Sequence, residues 1–147
     1  MKPLSTEEII NYYYGIPRFI GCFPNDGLPK KLPVNKGLIM NLHTADKDGS
    51  HWVCLYRDKQ CYYFYDSYGV PPTDSILKLK GKAKCCYNNT QLQPLESIAC
   101  GTHCIYILDK MFSGVSFLNA VYSLDIDPQK NDKILENYYN THIKNKI

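Results

Sequence analysis

The sequence predicts an α+β fold, a small mixed β-sheet packed against helices, with a cysteine at the N-terminus of the central helix. Three observations carry that expectation. Residues 51–57 and 61–66 are two apolar runs around the turn Asp58-Lys59-Gln60, which reads as a β-hairpin. Residues 100–112 place Cys104, Ile105, Leu108 and Phe112 at helical spacing, behind a loop that opens with Pro94. The chain also begins and ends on segments of helical periodicity.

Taken in order, Ser5 caps a helix starting near Thr6, and Glu8, three residues on, completes a capping box. Ile9, Ile10, Tyr13 and Tyr14 recur at helical spacing until Gly15-Ile16-Pro17 stops the helix. Residues 24–33 hold Gly27 and three prolines and read as loop, and residues 37–42 as a short apolar strand. A polar link over 45–50 leads into the hairpin. Its first strand alternates Trp52, Cys54 and Tyr56 with Val53 and Leu55, the pattern of a strand buried on both faces. Residues 73–80 then form a short helix, 83–92 another strand, 94–99 a loop and 132–141 the last helix. A chain of 147 residues is expected to be a single domain, 1–147.

The hairpin also carries chemistry. His51 opens its first strand and Asp66 closes its second, so antiparallel pairing brings the two side by side across a ladder whose strands lie about 4.8 Å apart. Cys100 begins a helix, where unpaired N–H groups and the macrodipole favour an anion such as a thiolate. A thiol is a poor nucleophile until an imidazole takes its proton, and the imidazole needs a carboxylate to fix its tautomer and balance its charge. His51, Asp66 and Cys100 supply these groups. Gln93, seven residues before the thiol, and the backbone N–H of Cys100 are the expected donors to an oxyanion. Trp52 is expected to pack against the imidazole and, with Gly101, to line the substrate groove, because a side chain at 101 would intrude there. His43, without an adjacent Trp, and His103, on the helix, are the imidazoles not expected to act.

The run Ser50-His51-Trp52, then Tyr65-Asp66-Ser67-Tyr68-Gly69, then Gln93 and Cys100-Gly101 resembles the adenovirus-type maturation cysteine proteases (adenain-like), with relatives in Polinton/Maverick elements and virophages. The opening residues 7–14 and Phe19-Ile20-Gly21-Cys22-Phe23 are similar to that family's first helix and the loop after it. Where the adenoviral enzymes usually carry Glu, this chain has Asp66. Deconjugases of ubiquitin-like proteins share the order but usually carry an Asp where Ala99 stands. The resemblance implies a papain-like arrangement in a circularly permuted sense and a thiol endopeptidase that cleaves capsid or precursor proteins during virion maturation. It also implies work inside the virion and the infected cell, in a cytoplasmic factory or the nucleus, and an activating peptide or DNA as regulators. Cys85 and Cys86 stand near the position where adenoviral enzymes link such a peptide by a disulfide; the residues themselves read as buried strand cysteines.

Composition narrows the remaining classes. Apolar content of 44% and charged content of 21% are ordinary for a globular chain. No run approaches the ~20 apolar residues of a membrane span, and the first residues lack the apolar core of a secretory signal, so an intracellular, reducing setting is expected. Seven cysteines without a Cys-x-x-Cys pair then read as free thiols, with no structural zinc. No cofactor is required and a monomer is expected. Net charge is +3, and lysines alternate at 78, 80, 82 and 84 on one side of an extended segment or scattered over a loop. The plain reading is a solvated face, and the functional one a weak track for DNA. Two rival functions follow: a deconjugase with the same chemistry, and a nucleic-acid-binding module of tyrosines and lysines with a vestigial site.

Overall fold

Five strands form one mixed sheet in a computed structural model that describes residues 1–43 and 51–147. They are β1 (Phe19–Pro24), β2 (Lys36–Asn41), β3 (Trp52–Arg57), β4 (Cys61–Tyr65) and β5 (Lys84–Tyr87), side by side in chain order. The two outer pairings, β1 with β2 and β4 with β5, are parallel, and the two inner ones antiparallel. Successive side chains of a strand point to opposite faces, and both faces here are covered. Val53 and Leu55 join Leu38, Met40, Tyr62 and Phe64 against Leu32 and Ile76. Cys54 and Tyr56 join Ile39 and Tyr65 on the other side, against α3 (Cys100–Phe112). That double cover is why the hairpin reads as apolar throughout.

The helices start where capping side chains permit. Ser5 and Glu8 form the capping box of α1 (Thr6–Tyr12), and Thr73 accepts the Ile76 N–H at the start of α2 (Asp74–Lys80). Ser116 caps α4 (Phe117–Tyr122), while Asp127 caps α5 (Pro128–Tyr138), with proline in its first turn. Helix α3 is buried from Gly101 to Leu108, wider than an apolar stripe, because the sheet covers one side and α1, α4 and α5 supply apolar residues to the same core. Asp109 ties three of these helices together. Tyr12 at the end of α1, Tyr13 at its C-cap and Tyr138 of α5 all donate their hydroxyls to its carboxylate, Tyr13 at 2.9 Å.

Several elements depart from the sequence expectation. Strand β1 falls where a loop was expected; it is half-buried along its length and broken by an irregularity between Phe19 and Cys22, so it shows no alternation. The strand expected over 83–92 pairs only across Lys84–Tyr87, because Asn88 then turns inward. Helix α4 was not expected, and the last helix begins at Pro128 and ends in a π-helical turn over Tyr139–Ile143. Helix α1 stops at Tyr12, before the last two of the expected periodic residues; Ile9 and the capping Tyr13 face the core, while Ile10, and Tyr14 in the turn that follows, are exposed. The lysine alternation is neither one strand face nor one loop: Lys78 and Lys80 belong to α2, Lys82 to the turn after it and Lys84 to β5. Cys86, expected to be buried, is exposed, and Cys85 is half-buried. The polar link 45–50 lies outside the described residues. No helix among the described residues is long and apolar enough to cross a membrane.

Candidate active site

The β3–β4 ladder ends at the pair Cys54 and Tyr65. Just beyond it the His51 Nε2 lies 2.7 Å from the Asp66 Oδ1. Asp66 is almost wholly buried and held from several directions. Its Oδ1 also accepts the Tyr68 N–H at 2.8 Å. The Asn88 side chain brackets its backbone, donating to the Asp66 carbonyl at 2.6 Å and accepting the Asp66 N–H at 3.1 Å. The turn that follows needs Gly69: φ is +75°, and a Cβ there would lie 2.8 Å from the Thr90 backbone.

Cys100 is the first residue of α3, and no side chain caps that end of the helix. Its leading N–H groups are therefore available to an anion. The thiol acts on the His51 imidazole by hydrogen bonding and charge, while the ring's Nε2 faces Asp66. Burial alone would lower the His51 pKa. The hydrogen bonds to Asp66 and Cys100 and their negative charges outweigh it and raise the pKa to about 9. The arrangement can therefore hold an imidazolium between Asp66 and the Cys100 sulfur at neutral pH.

Gln93 is fully buried between these parts. Its Oε1 accepts the Ser67 hydroxyl, and its Nε2 donates to the Ser97 carbonyl at 2.8 Å and, at a long 3.4 Å, to the Tyr68 hydroxyl. The Ser67 carbonyl accepts the N–H groups of both Leu92 and Gln93. Asp66, Ser67 and Tyr68 thus hold His51 and Gln93 from one short segment.

No protein-family model matches the sequence, and no curated protein does. Among solved structures, the crystal structure of ASFV pS273R protease superposes with a TM-score of 0.65 at 15% identity, covering 97% of this chain and 67% of that one. Its selenomethionine form gives 0.53 at 16% identity over 74% of this chain and 43% of that one. The chain shares the fold of that protease. The shared architecture is the mixed five-stranded sheet packed against helices, and this chain spans 67% of the first of these structures and 43% of the second.

Within that fold the other expected residues stand as follows. Trp52 does not provide the ring found stacked on the imidazole; Tyr68 does, with centroids 4.6 Å apart and planes 21° from parallel. The Trp52 indole N–H instead donates to the Leu4 carbonyl at 2.9 Å. Gly101 is buried rather than open to a groove. A Cβ there would meet Leu4 at 3.1 Å and Trp52 at 3.2 Å, so the N-terminal arm, and not a substrate, is what crowds it. His103 is buried behind the site, its Nδ1 2.7 Å from the Tyr65 hydroxyl; burial and the nearby charge of His51 push its pKa down to about 3, so it stays neutral. His43 follows β2, where its carbonyl accepts the Asn25 N–H. No group of three His, Cys, Asp or Glu side chains among the described residues is placed to hold a metal. Tyr68, Ser67 and Asn88 were not assigned roles from sequence. The first two lie inside the run Tyr65-Asp66-Ser67-Tyr68-Gly69, and adjacency to Asp66 is the one sequence signal they carry.

Proposed function

We propose that this chain is a cysteine endopeptidase of the adenovirus-type maturation class, cleaving viral capsid or precursor proteins. The observation that carries the reading is one imidazole bonded to a buried carboxylate and acted on by a thiol at an uncapped helix N-terminus. Likeness in fold to the ASFV pS273R protease supports it. In this reading the Cys100 thiolate attacks the scissile carbonyl, while the Cys100 N–H and Gln93 donate to the oxyanion. His51 then gives its proton to the leaving amine and takes one from the water that hydrolyses the acyl-enzyme. Asp66 orients the ring and balances its charge.

Further expectations travel with the reading: a monomer at work in the virion and infected cell, no required cofactor, and stimulation by a peptide or by weak DNA binding. The test is incubation of purified protein with candidate capsid precursors and mass mapping of new termini. Cys100→Ala and His51→Ala should each abolish cleavage while circular dichroism stays unchanged. Cleavage retained by either variant overturns the proposal. Rapid labelling of Cys100 by a ubiquitin-like vinyl-sulfone probe would move the substrate class to modifier conjugates.

A further inference from the structure

Tyr68 touches both halves of the site. Its ring lies on the His51 imidazole at 4.6 Å, its hydroxyl donates to the Leu95 carbonyl at 3.1 Å, and the same oxygen accepts the Gln93 Nε2 at 3.4 Å. Its own N–H is bonded to the carboxylate that orients His51. A single side chain thus braces the imidazole and the loop 93–97 that leads to the nucleophile. The two Gln93 amide contacts are unequal. The 2.8 Å bond to Ser97 is of full strength, whereas the 3.4 Å bond to Tyr68 is near the limit of useful hydrogen-bond geometry and costs little to give up.

We propose that Tyr68 is the positioning residue of this site: its ring holds the imidazole in plane, and its hydroxyl holds the second Gln93 N–H in reserve until a substrate oxyanion takes it. The inference rests on the function proposed above. The ring and hydroxyl roles are separable. An aromatic face stabilises a stacked cation by charge–quadrupole attraction, so the ring favours the protonated form of His51. The hydroxyl acts only through the loop. The other groups that bear on this charge are Asp66, Cys100 and His103 beside the imidazole, and Glu96 and Asp132, which with Asp66 and Cys100 act on the Tyr68 phenol.

The experiment compares wild type, Tyr68→Phe and Tyr68→Leu by two readouts. The first is the pH dependence of Cys100 alkylation by iodoacetate, whose carboxylate is drawn in by the imidazolium so that the rate falls as His51 loses its proton, followed by mass spectrometry, which needs no substrate. Tyr68→Leu should move the alkaline limb set by His51 down by about 0.5–1 pH unit, the equivalent of a modest cation–π contact. Tyr68→Phe, which keeps the ring, should leave that limb in place. The second readout is peptide cleavage, where Tyr68→Phe should lower kcat about tenfold with KM within twofold. A Tyr68→Leu limb at the wild-type position, or Tyr68→Phe with wild-type kcat, overturns the inference. If wild-type Cys100 alkylates no faster at pH 6 than an ordinary thiol, it is the underlying function that fails. Failure of Tyr68→Leu to fold leaves the Tyr68→Phe kcat measurement to decide.

Discussion

His51 carries the charge on which the site depends. Below pH 6.5 its imidazole would be protonated in the folded and the unfolded chain alike, and the favourable contacts of the cation with Asp66 and Cys100 are fully present. Between 6.5 and about 9 the unfolded ring loses its proton while the folded one keeps it, so this contribution to stability declines as pH rises and is gone above 9. Activity should follow the same group: the alkaline limb of kcat/KM is expected near pH 9, and Asp66→Asn should bring it down while lowering kcat/KM by about 10²-fold. A wild-type alkaline limb at or below pH 7 would contradict this. His51, Asp66 and Cys100 were legible in the sequence because few residue types can act as base, carboxylate and nucleophile. The supports were not. A ring to stack on an imidazole, or an amide to bracket a backbone as Asn88 does, can come from many residues at many places.

At the scale of elements, the hairpin and α3 meet through Tyr65 and His103, a buried hydrogen bond of 2.7 Å beside the apolar cluster that the sheet and helices share. Removing the Tyr65 hydroxyl would leave the His103 Nδ1 without its partner. Tyr65→Phe is therefore expected to cost about 1–3 kcal/mol in urea unfolding, and a change below about 0.5 kcal/mol would mean that the pair carries no weight. The hairpin and α3, with long apolar runs, and α1 and α2, with a cap or a flanking breaker, were readable. Strands β1 and β5 were not, or only in part, because each lies at a sheet edge with much of its surface in water, and pairing there is set by the neighbouring strand instead of by an alternation in the sequence. Helix α4 is six residues long, too short for a periodic pattern.

Across the whole molecule, Asp109 is the joint between the helices that enclose α3. Three tyrosine hydroxyls, from the end of α1, its C-cap and α5, converge on one carboxylate, and burial first, then that carboxylate's charge, raise the pKa of each phenol so that all three stay protonated donors. Hydrogen bonds to a charged group are worth about 1.5–3 kcal/mol each. Asp109→Ala is accordingly expected to destabilise the fold by about 3 kcal/mol or more and to speed amide exchange in both α1 and α5. Unchanged exchange in those helices would show that packing alone holds them. The same joint bears on the site, since α1 follows the arm whose Leu4 packs on Gly101 and Trp52 beside the nucleophile.

By itself the sequence determined the α+β class, the hairpin that brings His51 to Asp66, and the placement of Cys100 at a helix start, because each follows from local periodicity, a turn or a cap. Only the tertiary structure decided what surrounds them: the edge strands, the ring on the imidazole, the partners of Gln93 and the three-tyrosine joint. Those contacts join residues far apart in the chain, and no local pattern encodes which distant side chain will fill a given space once the core has closed.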